Sequence, residues 1–274
     1  MQTGVLGPLL LSANGKSFVP RAPKPRQLLA FLLLNANRMV RSDECATELW
    51  GSAPPARAMS TVQSHILHIR QALRGAPGVS LATKNQGYQL SVGALDWFTF
   101  GDLVRAGRSA AACADDGRAA ELFAAALRLW RGPALADVRV GPRCSARVVE
   151  LEETRLVVLE QRVEADLRLG RHHRLVDELR ELSAAHPTHE NLHAQLMIAL
   201  YRGGRAPAAL AVYERLRALL ADTLGIEPTP RLRCLRAAVV SGHPVLDLPS
   251  ARAYVAAGSL PDRGSRPGRT TRTP

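Results

Sequence analysis

The motif most typical of a catalytic site in this sequence is His189-Glu190-Asn191-Leu192-His193, which matches the H-E-x-x-H pattern of zinc metalloproteases. On a helix, two imidazoles four residues apart can bind one zinc ion while the glutamate acts as a general base. The pattern is short, however, and a chain with 8 histidines meets it by chance fairly often. Zinc hydrolysis is therefore a distant alternative, and we expect neither a metal site nor an enzyme.

Two further patterns lack the residues that their chemistry requires. The segment 14–17, Asn-Gly-Lys-Ser, copies the end of a P-loop, but the first glycine of that motif falls on Leu10. The segment is therefore predicted to be a hairpin turn rather than a phosphate site. The cysteines have neither metal-ligand nor disulfide-framework spacing and are interpreted as small apolar residues in a reducing compartment. No cofactor is expected. The four cysteines are Cys45, Cys113, Cys144 and Cys234.

The strongest chemical pattern lies in a helix predicted at about 57–74. Val62, Ile66, Ile69 and Leu73 recur at helical spacing and share one face. The other side carries groups that can bond to base edges or phosphates, and a predicted hairpin tip follows. The alternative is an ordinary amphipathic helix with a solvated polar face. The predicted DNA-contacting residues are Arg57, Ser60, Thr61, Ser64, His65, His68, Arg70, Gln71, Arg74, Lys84 and Asn85.

The elements around this helix predict how it is positioned. Strands at 5–12 and 18–19 flank the turn dipeptide Asn14-Gly15, and a helix runs from Arg26 to about 35. A short helix starts at Ser42 or Asp43 and ends at 51, and strands at 79–83 and 88–92 form a second hairpin. Strands, three helices and a hairpin, in this order, are typical of a winged helix-turn-helix, whose third helix enters the major groove.

The distribution of charge agrees with a polyanionic partner for the first part. Residues 1–95 hold 10 basic and 3 acidic side chains, whereas residues 96–248 hold 21 and 20. A compact domain with such a basic excess concentrates positive potential. Because 33 of the 36 basic residues are arginines, which GC-rich coding DNA also favours, charge alone leaves a merely basic surface equally open.

The remainder is predicted to be almost entirely helical. A Gly-Arg pair occurs at 117, 170 and 204, and the last two are 34 residues apart, the period of tetratricopeptide helix pairs. We therefore predict a mainly α protein: a winged-helix DNA-binding domain at 1–94, an all-α tetratricopeptide-like domain at 95–247 and a disordered basic tail at 248–274. No apolar run reaches the ~20 residues of a membrane span, so we expect no membrane partner. The apolar opening segment lacks the positively charged n-region of an export signal, so we expect a cytoplasmic, nucleoid-associated protein.

Several segments carry a resemblance to a known family. Residues 24–37, 48–51, 62–73 and 83–88 resemble an OmpR/PhoB-type winged helix. The segments LWRGPALAD (129–137), LYRGGR (200–205) and LGIEPTP (224–230) resemble the bacterial transcriptional activator domain. The two in this order resemble the short form of the Streptomyces antibiotic regulatory protein family. The sequence departs from the family pattern at His65, Leu67 and His68, where members commonly have an aromatic residue followed by a Ser-Arg pair.

This resemblance implies a pathway-specific activator of a secondary-metabolite gene cluster. Its implied partners are duplex DNA with direct repeats near the −35 region, RNA polymerase holoenzyme through its sigma factor, and a second copy of the chain on DNA. It also implies that Lys84 belongs to the wing. The competing hypothesis is a helical-repeat scaffold whose winged helix binds protein rather than DNA, and the salt dependence of DNA binding would separate the two.

Overall fold

The structure is a computed structural model, and it describes residues 1–247. Within that part, packing divides the chain inside one long helix, between Arg162 and Val163. The strands are β1 (Gln2–Gly4), β2 (Leu10–Ala13), β3 (Lys16–Ser17), β4 (Met39–Arg41), β5 (Val79–Lys84) and β6 (Gly87–Val92). The helices are α1 (Pro23–Leu34), α2 (Ser42–Trp50), α3 (Ala58–Ala72), α4 (Asp96–Ala112), α5 (Asp116–Leu127), α6 (Pro142–Arg168), α7 (His172–Ala185), α8 (Glu190–Arg202), α9 (Ala206–Leu224) and α10 (Pro230–Ser241), followed by a 3₁₀ helix at Pro244–Asp247.

Two small antiparallel sheets frame the first three helices. One has the order β1-β2-β3, and the other has the order β4-β6-β5. Asn14 and Gly15 both have positive φ, at 51° and 75°, which confirms the predicted tight turn between β2 and β3. The predicted strand at 5–12 was wrong in extent, because residues 5–9 leave the sheet and β4 was not foreseen.

The cause of that interruption is a pair of aspartates far along the chain. The Asp96 carboxylate accepts hydrogen bonds from the amides of Val5 and Leu6, at 2.9 and 3.1 Å. The Asp137 carboxylate accepts one from the amide of Leu9, at 2.7 Å. These acceptors satisfy backbone donors that a continuous strand would have presented to a neighbouring strand. Residues 1–162 therefore pack as one unit in which the winged helix is fastened to the helices that follow it.

The predicted core of the winged helix is confirmed. Leu28, Leu29, Leu32 and Leu33 of α1 are fully buried, as the broad apolar face of this helix predicted. The helix that carries them, α1, packs against both α2 and α3. Since α3 buries its own apolar side against α1 and α2, its polar side is directed away from the core.

The second packing unit, from Val163 onward, consists of helix pairs with tight turns. Gly170 and Gly204 adopt left-handed φ values of 73° and 71° at the turns before α7 and α9, which explains why glycine recurs there at the predicted period. Gly117 differs, because it lies inside α5 rather than at a turn. The fold class, a winged helix followed by helical repeats, is confirmed. The predicted tail at 248–274 lies outside the described residues, and the domain limits stay a prediction.

Among the helices of residues 1–247, none combines the length and the apolar composition needed to cross a membrane.

Candidate nucleic-acid interface

The exposed side of α3 is the candidate interface. Val62, Ile66 and Ile69 are buried, and the helix turns the predicted DNA-contacting residues toward its other sides. Thr61, His65 and Arg70 are partly buried at the flanks of this surface. The exposed members on α3 or next to its ends are Arg57, Ser60, Ser64, His68, Gln71 and Arg74.

The hydroxyl groups of this face already have acceptors within the helix. Ser60 Oγ and Thr61 Oγ1 donate to the carbonyl of Arg57, at 2.9 and 3.0 Å. Ser64 Oγ donates to the carbonyl of Ser60 at 3.1 Å. Such bonds leave the hydroxyl oxygens able to accept but commit their only hydrogen. In this arrangement the three hydroxyls present acceptors, not donors, to a bound molecule.

Arg70 connects α3 to the wing, which is the hairpin of β5 and β6. Its Nε donates to the carbonyl of Leu81 at 3.2 Å, and its Nη2 donates to Thr83 Oγ1 at 2.7 Å. Sequence reasoning assigned Arg70 to the DNA backbone, whereas here the guanidinium positions the wing beside the helix. Lys84 and Asn85 lie exposed at the wing tip, where Asn85 has a φ of 43°.

His65 lies in a more restricted environment than its neighbours on the face. Its Nδ1 is buried without a hydrogen-bond partner. Burial lowers the pKa of His65 from its ordinary value, and the nearby His68 and Lys24 lower it further. Lys24 Nζ donates to the carbonyl of Leu49 and lies 5.9 Å from the centre of the Trp50 ring. His65 is therefore neutral at pH 7 and can act as a donor or acceptor without adding charge.

This lowered pKa predicts an acid sensitivity of residues 1–162. The unfolded chain protonates His65 near its ordinary pKa of about 6.5, whereas the folded chain does so only at lower pH. The unfolded state takes up the proton first, so the contribution of His65 to stability is complete above about pH 6.5 and falls as the pH drops toward the lowered pKa. We expect His65→Gln to reduce this loss, measured by urea unfolding with tryptophan fluorescence.

The control for this measurement is His186→Gln, at an exposed position outside residues 1–162. Trp50, Trp97 and Trp130 all lie within residues 1–162, so their fluorescence reports on that unit. If His65→Gln is as sensitive to acid as the unmodified protein, His65 is not the group that causes the loss of stability at low pH.

Glu48 of α2, whose side chain is fully buried, joins the helix-turn-helix to the start of α6. Its Oε1 accepts from the amide of Gly141 at 2.6 Å, and its Oε2 accepts from the amides of Arg143 and Cys144 at 3.1 and 3.0 Å. These donors are Gly141, which immediately precedes α6, and two residues of its first turn, where free amides and the helix dipole favour a carboxylate. Gln27 Nε2 donates to the Glu48 carbonyl at 2.7 Å. Sequence patterns gave no sign of this role.

The H-E-x-x-H segment serves a structural purpose in α8. The Glu190 carboxylate accepts hydrogen bonds from Thr229 Oγ1 and from the Thr229 amide, at 2.6 and 3.0 Å. His193 is buried, and its Nδ1 lies 3.2 Å from the carbonyl of His189. Within residues 1–247, no three histidine, cysteine or carboxylate side chains are grouped so that they could hold a metal ion. The motif thus joins the start of α8 to the start of α10.

Two family models match the chain, one for each sequence region. The model described as "Transcriptional regulatory protein, C terminal" matches residues 15–90, from the β2–β3 turn into β6. The model described as "Bacterial transcriptional activator domain" matches residues 95–240, from the start of α4 through nearly all of α10. All of α3 and the tip of the wing lie inside the first match.

Individual relatives are similar over nearly the whole chain. It is 44% identical to the regulatory protein DnrI of Streptomyces peucetius over 90% of this chain and 94% of DnrI. It is 40% identical to the regulatory protein AfsR of Streptomyces coelicolor over 95% of this chain but only 26% of AfsR. The structure is similar to that of Mycobacterium tuberculosis EmbR in complex with a low-affinity phosphopeptide, with a TM-score of 0.84 at 35% identity, over 93% of this chain and 69% of that one.

Proposed function

This chain belongs to the Streptomyces antibiotic regulatory protein family, and from that premise we propose that it is a sequence-specific DNA-binding activator of a secondary-metabolite gene cluster. The observation that carries this proposal is the polar, exposed face of α3 beside a wing whose tip bears a lysine. In winged helices, a face of this kind enters the major groove while the hairpin approaches the neighbouring backbone. The protein acts by binding, and no catalytic step is part of this function.

Within the interface we assign different roles to its two groups of side chains. Thr61, Ser64, His65 and His68 supply sequence preference, because they lie on α3 where base edges would be met. Arg57 and Lys84 supply affinity by neutralising phosphates and releasing counterions. Arg70 supports this second group by holding the wing beside α3, through its bonds to Leu81 and Thr83.

The test of DNA binding is a salt titration with purified protein and duplex DNA. Arg57→Ala and Lys84→Ala are each expected to reduce the slope of log affinity against log salt by about 0.9, the value for one phosphate contact. His68→Ala should leave the slope unchanged but weaken binding to the selected site more than binding to random DNA. Gel-shift titrations at several salt concentrations measure both quantities.

The matched control is Arg180→Ala, which removes an exposed arginine of α7 far along the chain from the wing. Its slope should equal that of the unmodified protein. If the unmodified protein binds no DNA at low salt, the alternative scaffold function replaces this one. If His68→Ala weakens cognate and random DNA equally, the division of roles is wrong.

At the promoter, we propose that two copies bind direct repeats near the −35 region and recruit RNA polymerase holoenzyme through its sigma factor. The helical-repeat part, residues 95–247, would supply contacts between copies or with the polymerase, since stacked helix pairs offer extended binding surfaces. Footprinting on the promoter it binds, followed by transcription in vitro with purified holoenzyme, tests both statements. Binding without any increase in transcript would contradict recruitment while leaving DNA binding intact.

A further inference from the structure

Leu67 is a large apolar side chain within the otherwise polar face of α3. The residue is 53% exposed, although leucine is normally used to fill a core. It lies on the same side of the helix as Ser60, Ser64 and Gln71, which are separated from it by seven, three and four residues. The buried residues of α3 point elsewhere, so packing within the protein does not require leucine at this position.

Leu67 is the apolar part of a surface whose nearest hydroxyl groups have no free hydrogen to donate. The hydroxyl hydrogens of Ser60 and Ser64 are committed to carbonyls of their own helix. Cationic Arg57 and Arg74 lie exposed next to the two ends of α3, and Lys84 lies exposed on the wing. This charge favours a polyanion over an apolar protein surface as the molecule that covers Leu67.

On the base edges of the major groove, the apolar group is the C5 methyl of thymine. We propose that Leu67 contacts a thymine methyl and thereby specifies thymine at one position of each binding repeat. This inference rests on the proposed function, since it assumes that α3 enters the major groove. It adds a residue that hydrogen-bonding chemistry alone does not select, and it states which base that residue prefers.

The test removes the methyl group from the DNA and the leucine from the protein in turn. Full-length protein first selects its site from random duplex DNA, and each thymine of that site is then replaced singly by deoxyuridine. Uracil keeps every hydrogen-bonding group of thymine and lacks only the methyl. For the unmodified protein we expect about fourfold weaker binding at one position per repeat, the value for losing one buried methyl group.

Leu67→Ala should bind the selected site more weakly and should no longer distinguish uracil from thymine at that position. Leu67→Met keeps an apolar side chain and should retain most of the discrimination, so the test does not depend on one variant folding well. The control is Val149→Ala on α6, at a residue that is 55% exposed and lies outside α3. It should respond to uracil as the unmodified protein does.

The outcomes distinguish a failure of the Leu67 contact from a failure of the proposed DNA-binding function. Equal binding of uracil and thymine at every position, or full discrimination by Leu67→Ala, would overturn the role of Leu67 and leave sequence-specific DNA binding standing. Failure of the unmodified protein to select any site would overturn the proposed function, and the inference with it.

Discussion

Glu48→Ala is expected to destabilise residues 1–162 by about 3–5 kcal/mol, because it leaves three amide donors at the start of α6, in bonds that are buried or partly buried, without their acceptor. The amides of Gly141, Arg143 and Cys144 all donate to this one carboxylate, at distances between 2.6 and 3.1 Å. Water cannot replace it at no cost, since the Glu48 side chain is fully buried. The α2 helix would also lose the link that fixes it to α6, so DNA affinity should fall together with stability.

Urea unfolding followed by tryptophan fluorescence measures this change, since all three tryptophans lie within residues 1–162. The matched control is Glu153→Ala, which removes an exposed glutamate of α6 and should change stability by less than about 0.5 kcal/mol. A loss below about 1 kcal/mol for Glu48→Ala would mean that the α6 amides find other acceptors and that this junction does not stabilise the helix-turn-helix.

Local patterns in the sequence were sufficient to predict the winged helix and the candidate face. The apolar spacing of Val62, Ile66 and Ile69 depends only on helical periodicity, and the structure buries all three. The hairpin turn at Asn14-Gly15 could be predicted for a similar reason, because its backbone conformation is set by the residues of the turn itself. These features need no knowledge of distant parts of the chain.

Such local patterns could not predict the long-range polar contacts. Glu48 bonds to amides that are 93 to 96 residues away, and a backbone amide carries no sequence signature. The break between β1 and β2 depends in the same way on Asp96, 91 residues from Val5. Leu67 departs from the family pattern but is not among the predicted DNA-contacting residues, because that prediction rests on polar and charged side chains. The signal that could have identified Leu67 is its helical spacing, which places it on the same side of α3 as Ser64 and Gln71.

Gly87→Ala is expected to destabilise residues 1–162 by about 3 kcal/mol, at the upper end of the cost of overpacking a site. Gly87 opens β6 and pairs with Arg41 of β4 and Lys84 of β5. A Cβ atom at this position would lie 2.1 Å from the carbonyl oxygen of Val40 and 2.9 Å from its carbon. Both atoms belong to the backbone, so β4 would have to move away from the wing as a strand. Thermal unfolding and gel-shift affinity measure the two consequences.

The control for this change is Gly93→Ala, just after β6, where a Cβ atom would meet nothing within 4 Å. It should be neutral or stabilise the protein by up to about 1 kcal/mol, because alanine restricts the unfolded chain. Gly87 is not in the left-handed backbone region, so close approach of β4 is the reason for glycine at this position. A loss below about 1 kcal/mol for Gly87→Ala would mean that β4 can move aside at little cost, and that the wing is not held against β4 through this position.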